Sequence, residues 1–323
     1  MSETTAARDL ADPEQRRALT GTFDPTPGGA KNDPILEVDN IVRQFGGMKA
    51  VDVDHLEVER GLITALIGPN GAGKTTFFNL ITGFDRPSTA GKGAHWSFNG
   101  NKLDRTSASS VALAGMVRTF QLTKALNRMT VMDNMMLGAR GQSGENLLKA
   151  MIRPLWTGQE RQIEEKALGI LERFKLLAKK DDYAGSLSGG QRKLLEMARA
   201  LMSDPTMIML DEPMAGVNPA LTQSLLGHIQ ALRDEGMTVL FVEHDMHMVR
   251  HISDWVVVMA EGRVIAEGRA DEVMGNQAVI DAYLGAHHDT DLGDDALLEG
   301  EAMQDLADEV AAEETARQEE EKA

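Results

Sequence analysis

The chain has no cysteine, which excludes disulfides and thiolate metal sites but names no compartment. It has no apolar run near the ~18 residues needed to cross a bilayer; Trp255 to Ala260 is among the longest. Met1-Ser2-Glu3-Thr4-Thr5 lacks the basic start and apolar centre of a secretory signal, so the expectation is a chain that stays in the cytoplasm. Basic residues are also scarce. In 323 residues, 33 Lys and Arg face 50 Asp and Glu, a net charge of −17. Phosphate backbones are bound by clustered Lys and Arg, so nucleic acid is excluded as the main partner. The hydrophobic content of 42% is enough to build a core, for one large domain or two modest ones.

The acidity is unevenly placed. After Gly285 stand 14 acidic residues against Arg317 and Lys322, so this tail carries −12 and the rest of the chain only −5. Residues 286–323 are therefore read as an acidic appendage. Their weak spacing at Met303, Leu306 and Val310 suits a solvated helix or coil, with a docking helix for a basic surface as the alternative. At the other end, residues 1–34 mix Pro13, Pro25, Pro27 and Pro34 with polar and small residues, and the expectation is a flexible lead-in.

Between these lies the body, residues 35–285. Leu36 and Val38 flank Glu37, and Leu56 and Val58 flank Glu57, the alternation of strands with one wet face. Leu62 to Ile67 is nearly all apolar, as a strand buried on both sides should be. A glycine loop and a helix follow, ending at Thr82 and Gly83. From Arg140 to Lys180, Leu147, Leu148, Met151, Leu168, Leu171 and Phe174 fall at helical spacing, predicting a helical subdomain over about 125–190. A helix begins after Ser188, with Leu194, Met197, Ala198, Leu201 and Met202 on one stripe. Met207 to Leu210 predicts a strand, Asn218-Pro219 the cap and first residue of a helix stopping at Gly236, and Thr238 to Val242 the next strand. Such a crossover makes the two strands parallel and sends Asp211, Glu212 and His244 out at one carboxyl edge. Val256–Met259 and Val264–Ala266, joined through Glu261-Gly262-Arg263, read as a hairpin.

Gly68-Pro69-Asn70-Gly71-Ala72-Gly73-Lys74-Thr75 stands between a buried strand and a helix. Its glycines let backbone N–H groups turn around phosphate oxygens, and the helix start adds its positive end. In this motif the lysine, Lys74, reaches the β and γ phosphates and the hydroxyl of Thr75 reaches magnesium, with Thr76 beside them. Asp211 and Glu212 end an apolar strand. Asp211 is read as a magnesium ligand, and Glu212 as the general base on the attacking water. Adjacent carboxylates on an extended backbone point to different sides, so one can face metal and the other water.

With Leu187-Ser188-Gly189-Gly190-Gln191 added, residues 35–285 resemble the nucleotide-binding subunit of an ATP-binding cassette (ABC) transporter. The resemblance implies an α/β P-loop NTPase with a mainly parallel core sheet, an antiparallel β subdomain and a helical subdomain. It also implies two such subunits, identical or different, with Ser188, Gly189, Gly190 and Gln191 capping the γ-phosphate of ATP held by the opposite one. In the same way Phe45 matches the aromatic that stacks on adenine. Gln121, in Arg118-Thr119-Phe120-Gln121, matches the glutamine that touches magnesium, and His244 the histidine that holds the γ-phosphate. His247 and His251 follow His244 at helical spacing, but no carboxylate–histidine metal pattern accompanies them. The chain departs from many such ATPases at Asn218, where they carry Asp.

Four further stretches resemble the ATPases of branched-chain amino acid importers: Phe45-Gly46-Gly47, Met214 to Pro219, Glu243-His244-Asp245-Met246, and Ala282-Tyr283-Leu284-Gly285. Urea importers and lipopolysaccharide exporters share much of that ending. The resemblance implies an ATPase at the cytoplasmic face of the inner membrane, working with permease subunits and, through them, a periplasmic solute-binding protein. Soluble relatives in DNA repair and translation fit less well. The interval from Thr75 to Asp211 leaves no room for the long coiled coil of the former, and the single set of motifs departs from the paired cassettes of the latter. Intact Glu212 and His244 argue against a non-enzymatic binding module.

Overall fold

A computed structural model describes residues 10–88, 93–104, 106–119, 126–141 and 157–285. The expected helical positions Leu147, Leu148 and Met151, the site residue Gln121 and the acidic tail lie outside them. In chain order the elements are α1 (Pro13–Thr20), β1 (Pro34–Phe45), β2 (Met48–Glu59), β3 (Ile63–Ile67), α2 (Lys74–Ile81), β4 (His95–Phe98), β5 (Asn101–Lys102), α3 (Ala108–Ala114), β6 (Met116–Arg118) and α4 (Val131–Gly138). Then follow α5 (Thr157–Arg173), α6 (Gly189–Leu201), β7 (Met207–Asp211), α7 (Pro219–Asp234), β8 (Thr238–Val242), α8 (Met246–Ile252), β9 (Trp255–Ala260), β10 (Arg263–Gly268), α9 (Ala270–Met274) and α10 (Gln277–Gly285). The chain divides into two compact units, Met1–Val111 with Gln230–Ala323, and Ala112–Ile229.

The first unit holds an antiparallel sheet ordered β2-β1-β4-β5 and the strands β10-β9-β3-β8. Leu36, Val38, Leu56 and Val58 are buried and Glu37 is half-buried, as alternation requires of a sheet with one wet face. β3 is buried at every residue and pairs in parallel with both β8 and β9. A strand covered on both faces has little use for polar positions, which explains why Leu62 to Ile67 is apolar except at the buried Thr64. The expected hairpin is β9–β10. Its turn residues Glu261 and Gly262 both take positive φ, 48° and 80°, and that left-handed pair matches the twist of the strands it joins.

The lead-in differs from expectation over residues 10–34. Asp12 caps α1, accepting from the Glu14 N–H at 2.9 Å, and Pro13 sits at the first helical position. The Nε of Arg16 donates to Asp254 at 3.0 Å. Burial pushes the Asp254 carboxyl up, against the pull of Arg233 and Arg16. Further along, Lys31 and Glu267 form an ion pair at 2.9 Å with both side chains almost completely buried. Glu267 also accepts from the Gly29 N–H at 2.7 Å and the Trp255 indole at 2.9 Å, and Phe23 packs edge-on against Trp255. The segment is therefore docked, with Pro13 opening its helix. Removing one partner of a buried, fully bonded pair leaves the other charge uncompensated, at a cost of about 3–5 kcal/mol. Lys31→Ala is accordingly expected to lower the unfolding free energy by about that much in urea titration. A loss under about 1 kcal/mol, the value of a surface pair, contradicts this reading.

The second unit holds the parallel pair β6–β7 and the helices α4, α5 and α6, with α4 packed on both others. A Cβ on Gly138 would stand 2.4 Å from the Arg199 carbonyl, so glycine is what lets the end of α4 approach α6. Thr130 and Asp133 form a reciprocal cap at the start of α4. The expected stripe of α6 is buried at Leu194, Met197, Ala198 and Leu201.

Candidate functional site

In the first unit, the loop leaving β3 is shaped by glycine. Gly68, Gly71 and Gly73 all have positive φ, at 147°, 80° and 98°. A Cβ on Gly68 would lie 2.0 Å from the Met259 carbonyl, and one on Gly73 would lie 2.2 Å from the Ala50 carbonyl. Those two glycines press against the protein, whereas Gly71 has nothing within 4 Å of its missing Cβ. The loop is thus braced from behind and open in front. Pro69 accepts from the Ala72 N–H at 3.1 Å, and Ala72 in turn from the Gly262 N–H at 3.0 Å, tying the loop to the β9–β10 turn. Asn70 and Gly71 are exposed.

Lys74, the first residue of α2, is buried, and its ammonium donates to the carbonyls of Gly68 and Pro69. Thr75 is exposed and Thr76 half-buried in the same first turn. The N-cap Gly73 offers no side-chain acceptor, so no capping oxygen competes for the N–H groups that open α2. Such an end suits an anion. His244 belongs to this edge. β3 and β8 pair in parallel with Leu66 beside Val242, so the Gly68 loop and His244 follow their strands at the same edge. Asp245 caps α8 through the Met248 N–H at 3.1 Å, which fixes the turn carrying the half-buried His244. His247 and His251 are exposed on α8. Phe45, 48% exposed at the end of β1, has the Arg43 guanidinium 4.4 Å from its ring centroid.

In the second unit, β7 is buried throughout and delivers Asp211 at its last position. An Arg118 guanidinium nitrogen donates to Asp211 Oδ2 at 2.6 Å, with both side chains 7% exposed. The next residue breaks from the extended backbone that the sequence suggested. Glu212 has φ 48°, a left-handed conformation unusual for a side chain with a Cβ. The Glu212 carbonyl accepts from Lys193 Nζ at 3.3 Å and from the Ala215 N–H at 3.2 Å. Lys193 lies on α6, whose start is the Ser188 cap. The Ser188 hydroxyl accepts from the Gln191 N–H at 3.3 Å while the Gln191 side chain accepts from the Ser188 N–H at 3.0 Å. Leu187 and Gly190 are buried, leaving Ser188 and Gly189 exposed at the helix start. A Cβ on Gly190 would stand 1.8 Å from a Leu221 methyl, so α7 packs there because glycine permits it. Asn218 caps α7, its side-chain oxygen accepting from the Leu221 N–H at 2.9 Å.

Sequence reasoning passed over Arg118 and Lys193. Arg118 stood in a quoted motif, but nothing in its spacing points to a partner 93 residues away.

Two family models match the chain: ABC transporter over residues 51–215, and branched-chain amino acid ATP-binding cassette transporter over residues 263–289. The chain is 42% identical over 252 residues to a probable branched-chain amino acid transport ATP-binding protein of Archaeoglobus fulgidus, covering 78% of this chain and 96% of that one. It is 39% identical over 254 residues to the high-affinity branched-chain amino acid transport ATP-binding protein of Pseudomonas aeruginosa, covering 78% and 98%. Among solved structures, a nucleotide-free ATP-binding cassette from an ABC transporter superposes with TM-score 0.67 at 38% identity, over 77% of this chain and 98% of that one. The ADP conformation of an ATP-binding cassette of an ABC transporter gives TM-score 0.67 at 37% identity, over 79% and 100%. The chain belongs to the ABC transporter family, in the group of the branched-chain amino acid transport ATP-binding proteins.

Proposed function

We propose that this chain is the ATP-hydrolysing subunit of an importer for branched-chain amino acids, acting at the inner face of the membrane through separate permease subunits. The observation that carries the reading is the loop from Gly68 to Gly73, braced behind and open in front, at the mouth of a buried parallel strand. Among the described residues no helix is long and apolar enough to cross a membrane. The match of residues 263–289 supports the branched-chain assignment.

In this reading the N–H groups around Gly71 and at the start of α2 hold phosphate oxygens of ATP. Lys74 exchanges its bonds to the Gly68 and Pro69 carbonyls for the β and γ phosphates, and Phe45 stacks on adenine. His244 holds the γ-phosphate. Ser188, Gly189, Gly190 and Gln191 cap the γ-phosphate bound by a second subunit, because the exposed start of α6 is an anion site with no anion of its own chain assigned to it. Glu212 takes a proton from the attacking water.

Magnesium fits Asp211, a hard carboxylate donor whose Oδ1 accepts no hydrogen bond among the described residues. Thr75 and Gln121 complete the proposed ligands. When bound, the ion offsets negative charge on the phosphates. A second subunit clamped by ATP and released after hydrolysis moves the permeases between outward and inward states, with a periplasmic solute-binding protein supplying the solute.

Vesicles carrying the chain with its permeases and binding protein test the substrate. Leucine uptake that depends on ATP is expected to exceed urea uptake at least ten-fold. Urea uptake equal to or above leucine uptake refutes the branched-chain assignment.

A further inference from the structure

Asp211 is not presented alone. β6 runs parallel to β7 with Arg118 beside Met209, and Asp211 lies two residues beyond Met209 on the same face of its strand. That register brings the Arg118 guanidinium onto Asp211 Oδ2 at 2.6 Å, and the Thr119 N–H bond to the Met209 carbonyl at 3.0 Å fixes the strand exit that carries it. Both side chains are 7% exposed. Asp211 also lines a small cleft with Thr119, Lys193 and Glu196. Lys193, which lines the same cleft, is directed to the Glu212 carbonyl.

We infer that Arg118 is a positioning residue for Asp211, taking one carboxylate oxygen and turning the other toward the magnesium ion. The inference rests on the reading of Asp211 as a magnesium ligand. A buried carboxylate with no partner can rotate, so a fixed guanidinium confers direction. Groups that orient a metal ligand from behind are typically worth about 10- to 100-fold in metal affinity.

The test separates nucleotide affinity from the gain that magnesium adds. Binding of a β,γ-imido ATP analogue is titrated calorimetrically in EDTA and again in magnesium. Arg118→Met should leave the EDTA affinity within two-fold of the unmodified chain and reduce the magnesium gain about 10-fold. Arg118→Lys, which keeps the charge but not the planar fork, should show an intermediate gain. In an Asp211→Asn background, Arg118→Met should add no further loss, because its route to the ion has been removed. A full magnesium gain in Arg118→Met, or an undiminished loss in the Asp211→Asn background, overturns the inference. Should Arg118→Met fail to fold, Arg118→Lys decides it: a reduced gain supports the role and a full gain overturns it. An unmodified chain that binds no analogue in either buffer sinks the nucleotide reading itself.

Discussion

Glu212→Gln should bind ATP as the unmodified chain does and yet release phosphate at least about 100-fold more slowly, the low end of what a positioned base contributes. The amide keeps the size and polarity of the side chain and loses only the basic oxygen. Its backbone is the reason for choosing glutamine. With φ at 48°, position 212 is held in a conformation that costs of order 1–3 kcal/mol for a non-glycine residue. A glycine or alanine there would alter the turn as well as the chemistry. Because ATP then stays bound, the variant is also expected to run as a nucleotide-dependent dimer in size-exclusion chromatography. Hydrolysis near the unmodified rate refutes the role assigned to Glu212.

Lys74→Ala should weaken nucleotide binding by about 10- to 100-fold, the loss of one or two hydrogen bonds to a charged group. Lys74 is buried and bonded to the carbonyls of its own loop, so the ammonium is held at the cradle before it exchanges those bonds for phosphate. Direct titration with ATP reads this without hydrolysis. Unchanged affinity removes the phosphate-loop interpretation. A collapse of the loop is a separate effect, and the β9–β10 turn guards against it, since Gly262 holds Ala72 independently of Lys74.

The features legible in the sequence are those set by neighbours in the chain. The nearly all-apolar β3, the helix start after Ser188, the Asn218–Pro219 helix start and the Glu261-Gly262-Arg263 hairpin connection each depend on residues within a few positions of one another. What escaped reading depends on distant pairs. The lead-in looked flexible because its prolines and polar residues are local facts, while the partner that holds Lys31, Glu267, stands 236 residues on. Arg118 on Asp211 is a second case, fixed by the parallel register of β6 and β7. The left-handed backbone of Glu212 is a third, since no residue type announces it. Asp211 and Glu212 were visible as chemistry-bearing positions, but the Arg118 contact and the backbone turn that shape them were not. The charge of the acidic tail is clear from the sequence, and no role follows from it.

The central claim is that ATP held at the Gly68–Thr75 loop is hydrolysed to drive a transporter. Phosphate release by the purified chain, assembled with its permease subunits in vesicles and assayed with ATP in magnesium and in EDTA, tests it most directly. The account predicts release that requires both magnesium and this chain and that disappears with Glu212→Gln. An assembled complex that releases no phosphate in magnesium contradicts it.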